Sequence, residues 1–111
     1  MIRVNWAIEE AVALYNLYKT SGYPIPKSKL SKLSDVLNFR AEKLGIDKDE
    51  KFRNVSGLNM QSACIHYVVT DGNSGLSSTN RLFSQVDKLY NCDREKFDTI
   101  LKDFTDKYGE I

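Results

Sequence analysis

The sequence predicts an all-α fold in which residues 1–111 form one compact domain of about five helices. Apolar residues recur at spacings of three and four in five separate stretches, which is the pattern of amphipathic helices. Runs of turn-forming residues separate these stretches, and none of them has a convincing strand pattern. A chain of 111 residues with 41% hydrophobic residues suits one hydrophobic core. A second independent domain is therefore not expected.

The first predicted helix covers residues 6–18 and is expected at the centre of the fold. Its apolar residues occupy two faces, so it should be buried on two sides. Asn5 is expected to cap it, while Glu9 and Glu10 place negative charge near the positive end of the helix dipole. The stretch "SGYPIPK" ends this helix, because two prolines within three residues favour extended backbone.

The remaining helices are predicted over residues 28–44, 55–69, 79–90 and from 93 onwards. Gly45 is the stop signal of the second helix, and Gly72 and Gly75 are expected at positive φ in the long loop before the fourth. The side chains expected mainly inside are Trp6, Leu14, Leu33, Leu37, Leu58, Ile65, Leu82, Val86, Phe97, Ile100 and Phe104.

The stretch "FRNVSGLNMQ", residues 52–61, is an unusual start for the third helix. Phe52 is expected to anchor the helix entrance by packing inward. Asn54 or Ser56 should cap the helix, since both residue types accept hydrogen bonds from unpaired backbone amides at helix starts. Gly57 is expected to permit the close approach of another backbone or helix.

Charge is unevenly distributed, although the net charge is only +1. Residues 27–43 contain five basic and two acidic residues, a net charge of +3, whereas residues 92–111 contain four basic and six acidic ones, a net charge of −2. The overall charge selects neither a nucleic acid nor a membrane as partner. No stretch approaches the roughly 18 apolar residues of a membrane helix, so we expect a cytoplasmic protein without a membrane partner.

The residues that usually support catalysis or metal binding are scarce. His66 is the one histidine and is better explained as a structural or surface residue, while Cys64 and Cys92 are expected to be thiols. These three residues provide too few ligands for a zinc site. No phosphate-binding loop and no calcium loop are present. We therefore expect no enzyme activity, no metal and no cofactor.

A basic helix followed by a helix rich in amides is the arrangement that helix-turn-helix recognition of duplex DNA uses. Lysine and arginine neutralise phosphates, and amide side chains read base edges in the major groove. The residues expected on phosphates are Lys29, Lys32, Arg40 and Lys43. Those expected near bases or backbone are Arg53, Asn54, Asn59 and Gln61, with Arg53, Asn59 and Gln61 facing outward beside the basic helix. The competing interpretation is a solvated helix face.

Several weak motifs occur in a particular order along the chain. They are Trp6 with Glu9 and Glu10, the leucine-rich residues 30–44, Arg53-Asn54 with Gly57, Gly75-Leu76-Ser77, and residues 82–90. The stretch "NWAIEEAVALYNLY" resembles the opening of a Myb or SANT-type helix. Residues 6–101 as a whole resemble the helical domain at the front of HNH restriction-type endonucleases.

The resemblance implies a helix-turn-helix or Myb-like core that targets DNA in restriction-modification or phage defence. The paired histidines of those endonucleases are missing, so no nuclease activity is expected in this polypeptide. The alternative is a small phage or mobile-element protein that serves as a protein-interaction module or as an inhibitor of the anti-defence or anti-CRISPR type. Such a protein would act on a nucleic-acid-handling protein and present Tyr23 and Ile25 to it.

Overall fold

The computed structural model describes residues 5–70 and 81–110, and all of the regular structure in these ranges is helical. The five helices are α1 (Ile8–Ser21), α2 (Lys27–Lys43), α3 (Val55–Val69), α4 (Arg81–Cys92) and α5 (Arg94–Tyr108). The predicted all-α fold with five helices is confirmed. The predicted start of the fourth helix at 79, and the positive φ expected of Gly72 and Gly75, lie outside the described residues.

Helix α1 is the centre of the bundle. It contacts each of the other four helices, and its residues from Glu10 to Tyr15 are all buried. The prediction that this helix is covered on two sides is confirmed. Since every other helix packs on α1, its side chains determine how those helices are placed.

The start of α1 differs from the prediction, which made Asn5 the cap. Ala7 is the residue at the N-cap, and its backbone N–H donates to Glu10 Oε1 at 2.9 Å. A glutamate at the third helical position reaches back to the cap in this way. The Asn5 carbonyl instead accepts a hydrogen bond from Arg53 Nη2 at 3.2 Å. The prediction was wrong because the capping carboxylate comes from inside the helix.

The end of α2 follows the sequence prediction. Gly45 has a φ of 69°, and the next amide, that of Ile46, donates to the Ala41 carbonyl at 2.9 Å. Glycine adopts this left-handed conformation without strain because it has no Cβ, and the resulting turn ends the helix. The α2–α3 connection then runs over residues 44–54. It is longer than the turn of about three or four residues in a DNA-binding helix-turn-helix, and the Myb-like core stays a prediction.

The entrance to α3 is held by a cap and an anchor. Asn54 Oδ1 accepts a hydrogen bond from the Gly57 amide at 2.8 Å, and Phe52 is buried. Both predictions are confirmed. The prediction for Gly57 was wrong about the neighbour: a Cβ there would lie 2.9 Å from Asn54 Oδ1. The glycine therefore leaves room for the capping side chain and not for another helix.

The core contains most of the residues predicted for it. Buried as expected are Leu14, Leu33, Leu37, Leu58, Ile65, Val86, Phe97 and Phe104. Trp6, Leu82 and Ile100 are only partly buried and pack against that core. Trp6 meets Phe83 edge-on, with ring centroids 5.9 Å apart. Because Trp6 is not fully enclosed, its truncation should cost less than the roughly 3–5 kcal/mol of a buried tryptophan.

Tyr15 connects α1 to the last two helices. Its ring contacts Tyr90 and Phe97 at centroid distances of 5.2 and 5.8 Å, and its hydroxyl donates to Asp87 Oδ1 at 2.6 Å. Burial first, and then the hydrogen bond to the Asp87 carboxylate, raise the pKa of Tyr15. The phenol therefore stays protonated in the folded protein when an exposed tyrosine would ionise.

We predict that stability falls above about pH 10, where a tyrosine in the unfolded chain loses its proton. Between the unfolded and folded pKa values of Tyr15, the unfolding free energy should fall by about 1.4 kcal/mol per pH unit. Below about pH 10 this contribution is fully present. Urea unfolding of the wild type and Tyr15→Phe over alkaline pH measures it, and the variant should show a shallower decline. Equal declines in the two proteins would contradict the prediction.

Candidate nucleic-acid interface

A cluster of two glutamates and two arginines lies between α1, α2 and the entrance to α3. The Glu10 side chain is 1% exposed, and Arg53 donates to it twice: Nε to Oε2 at 2.9 Å and Nη2 to Oε1 at 3.1 Å. Arg40 Nε donates to Glu9 Oε1 at 2.8 Å, and Arg40 Nη1 lies 3.7 Å from Glu10 Oε1. We call these four residues the buried charge cluster.

The guanidinium of Arg53 is also held between two aromatic rings. Its Cζ lies 4.4 Å from the ring centroids of both Trp6 and Phe52, at distances typical of cation–π contacts. Its backbone has a φ of 48°, an uncommon conformation for a residue with a side chain. Such a conformation persists where several contacts determine it together. Arg53 therefore fixes the position at which the chain enters α3.

The buried charge cluster corrects the predicted interface. Arg40 and Arg53 were expected on an outward surface, Arg40 on phosphates and Arg53 near bases. Their side chains are each 8% exposed, and each forms ion pairs within the chain. That placement was wrong, because both guanidinium groups pair with carboxylates of α1, the buried Glu10 and the partly exposed Glu9.

The three predicted lysines are exposed but point away from α3. Lys27 and Asn59 line the same groove between α2 and α3, which identifies the side of α2 that faces α3. At about 100° per residue, Lys32 and Lys43 lie roughly 140° and 160° around the helix from Lys27. Lys29 is directed towards the end of α1, where its Nζ donates to Ser21 Oγ at 3.2 Å.

The predicted amides are also separated. Asn54 is at the cap of α3, with its Oδ1 committed to the Gly57 amide. Asn59 is exposed and Gln61 is half-buried. Asn59 and Gln61 are two residues apart, which corresponds to a rotation of about 200° around α3. The two side chains therefore do not share a face. The prediction that they face outward together was wrong, and of these amides only Asn59 lies in the groove beside α2.

A different region, at the end of α1, the start of α2 and the outer side of α3, lacks acidic residues. No Asp or Glu occurs in residues 11–34 or 51–70 of the sequence. We call the exposed part of residues 19–32 and 56–67 the acid-free surface. Its exposed cations are Lys19, Lys27, Lys29 and Lys32. No ion pair among the described residues engages Lys27, Lys29 or Lys32.

Three rings stabilise the middle of the acid-free surface. Tyr23, in the α1–α2 connection, stacks on His66 with centroids 4.1 Å apart and planes 9° apart. Tyr18 Oη lies 2.6 Å from His66 Nδ1, a hydrogen bond that holds the imidazole from the other side. Burial, followed by the neighbouring Tyr23 and Asp87, raises the pKa of Tyr18, so its hydroxyl stays protonated. His66 is thus a structural residue that positions Tyr23.

A groove of about 590 Å³ lies between the starts of α2 and α3. Its lining residues are Pro24, Ile25, Lys27, Leu30, Val55, Ser56 and Asn59. Ile25 and Leu30 are buried and form an apolar floor, whereas Lys27, Ser56 and Asn59 are exposed. The groove combines an apolar base with one cation, one hydroxyl and one amide.

Lys27, Tyr23 and His66 were not predicted to belong to a nucleic-acid site. Tyr18 and His66 are 48 residues apart, and no sequence pattern pairs them. One signal was available, because the lack of acidic residues in 11–34 is visible in the sequence. That signal locates the region but not the faces on which its side chains lie.

Other chemistry is limited in the part of the chain that the structure describes. Within 5–70 and 81–110, no group of three or more His, Cys, Asp or Glu side chains is arranged to hold a metal ion. Cys64 is buried, Cys92 is exposed, and no disulfide joins them. Among the described helices, none is long and apolar enough to cross a membrane.

Comparison with known proteins adds no functional information. No family model, no curated protein and no solved structure matches this chain. The resemblance to the front domain of HNH restriction-type endonucleases therefore stays a prediction from sequence motifs. A functional assignment has to be argued from the residues described above.

We predict that Glu10→Gln destabilises the fold by about 3–5 kcal/mol, because it removes the charge that two buried arginines neutralise. Glu42→Gln is the matched control, since Glu42 is an exposed carboxylate 3.6 Å from Lys48. An exposed pair of this kind contributes about 0–1 kcal/mol. Urea unfolding at neutral pH compares the two variants. Equal losses of stability would show that the cluster is not an important source of stability.

Proposed function

We propose that this domain binds duplex DNA through the acid-free surface. The observation that carries the proposal is that its four exposed lysines lie in segments without any carboxylate. A polyanion is the partner that such a surface attracts, because each neutralised phosphate releases bound counterions. Of the predicted contacts, Lys29 and Lys32 remain in this proposal on one side of α2, and Asn59 remains on the side that faces α3, where Lys27 joins it.

The start of α2 supports a phosphate partner. Its first turn contains Lys27 and Lys29 and no acidic residue. Positive side chains at the positive end of a helix dipole are unfavourable, by roughly 0.3–1 kcal/mol each. Residues whose local effect is to weaken a fold are expected mainly at functional sites. Phosphate oxygens at this helix start would neutralise the lysines and interact with the dipole.

The net charge does not argue against this interface. Dedicated DNA-binding domains are usually more basic than +1, but the net negative charge here lies outside the acid-free surface, with −2 in residues 47–50 and −2 in residues 92–111. The local field at the acid-free surface is therefore more positive than the net charge indicates. That role would place the protein in the cytoplasm, in the restriction or phage-defence setting that the sequence resemblance implies.

Salt dependence tests the proposal directly. We predict that the wild type binds a duplex oligonucleotide at low ionic strength, and that the Lys27→Ala, Lys29→Ala, Lys32→Ala triple variant weakens binding. The slope of log K against log salt should become shallower by roughly 2–3, since each lost phosphate contact removes about 0.9. Fluorescence anisotropy measures both quantities.

The control is the Lys88→Ala, Lys96→Ala, Lys102→Ala triple variant, which makes the same charge change at exposed positions of α4 and α5. It should keep most of the wild-type affinity and slope. Equal effects of the two triple variants would contradict a specific surface. A wild type that does not bind DNA at low salt would remove the proposal altogether.

A second function is favoured by the outer face of α3. Helix α3 has no Asp, Glu, Lys or Arg, and its outer face comprises Ser56, Asn59, Met60, Ala63 and Tyr67. Met60 is 57% exposed, and uncharged faces with methionine and tyrosine are typical of protein interfaces. This alternative is the protein-interaction module or inhibitor, and its binding would depend little on salt.

A further inference from the structure

The groove beside α3 has the chemistry of a nucleotide site. Its floor is formed by the buried Ile25 and Leu30, and the apolar residues accessible to a ligand are the exposed Pro24 and the half-buried Val55. Apolar surface of this kind accommodates the flat face of a base. Asn59 lies on the rim, and its amide offers both donors and an acceptor to a base edge. Lys27 on the same rim offers a cation to a phosphate.

Size and charge also suit this occupant. A volume of about 590 Å³ lies within the range of small-ligand sites, which is roughly 300–1,000 Å³. The lining residues include a lysine and no carboxylate, so an anionic ligand is complementary to them. A base stacked and paired inside a duplex cannot reach an apolar floor of this kind, and it must first leave the stack.

An aromatic ring supported by its neighbours lies one residue before the groove lining. Tyr23 precedes the lining residue Pro24 and is 41% exposed. Its ring is supported by the parallel stack on His66, and Tyr18 holds that imidazole through a hydrogen bond of 2.6 Å. Bases stack on tyrosine rings in many single-strand-binding proteins, with little dependence on base identity. Tyr23 is thus positioned to stack with a second base next to the groove.

Resting on the proposed DNA binding, we propose that the groove binds one unpaired nucleotide of the DNA ligand. The base lies on Pro24 and Val55 with its edge at Asn59, and its phosphate interacts with Lys27. The neighbouring base stacks on Tyr23. The preferred ligand is therefore a duplex with an extruded or mismatched nucleotide, and a fully paired duplex is bound more weakly through the lysines alone.

The experiment compares three labelled duplexes of one sequence by fluorescence anisotropy: fully paired, with a single-nucleotide bulge, and with an abasic bulge. The wild type should bind the bulged duplex about tenfold more tightly than the paired one, and the abasic bulge should lose that preference. Asn59→Ala, Asn59→Asp and Tyr23→Ala should each reduce the preference while the paired duplex is still bound. Gln85→Ala, an exposed amide on α4, is the matched control and should keep it.

The outcomes separate this inference from the proposed function. Equal affinity for the three duplexes, or an abasic bulge bound as tightly as the bulged nucleotide, overturns the nucleotide site and leaves the lysine surface standing. Absence of binding to all three overturns both. If the wild type instead binds an acidic leucine-containing peptide, and Asn59→Asp abolishes that binding, the groove belongs to a protein partner. Thermal unfolding of each variant shows whether a loss of binding reflects a loss of fold.

Discussion

One buried carboxylate, that of Glu10, constrains the placement of three parts of the chain. An ionised carboxylate removed from water is costly unless cations and hydrogen-bond donors surround it. Glu10 satisfies this requirement with Arg53 just before α3, with Arg40 on α2, and with the Ala7 amide of its own helix. Each of these groups is held at a defined distance from α1. The groove between α2 and α3 therefore depends on a pairing made at the start of α1.

The helices were predictable because their signals are local. A spacing of three and four identifies each helix wherever the others pack, and an asparagine three residues before a glycine amide caps α3 without any tertiary partner. Gly45 ends α2 for the same kind of reason. These features depend on neighbours a few residues away, so the sequence alone determines them.

The direction of charged side chains was not predictable in the same way. Arg40 and Lys43 are both basic residues in the last turn of α2, yet one is buried and the other exposed. The difference depends on Glu9 and Glu10, some thirty residues earlier in the chain. Arginine suits such buried pairs because its planar group donates several hydrogen bonds at once, whereas lysine is more strongly hydrated. A basic residue in a helical pattern thus predicts where a positive charge lies along the chain. It does not predict which carboxylate pairs with that charge.

The acid-free surface gives the protein an electric asymmetry that its isoelectric point of about 7.7 conceals. Positive charge gathers around the start of α2, whereas residues 47–50 and residues 92–111 each have a net charge of −2. Such a molecule has a dipole moment, and it turns one particular side towards any charged surface it approaches. On ion-exchange media at low salt and neutral pH, it should adsorb to a cation exchanger in one orientation and to an anion exchanger in the other. Its adsorption to both media would then reflect how charge is distributed over its surface, and not its net charge.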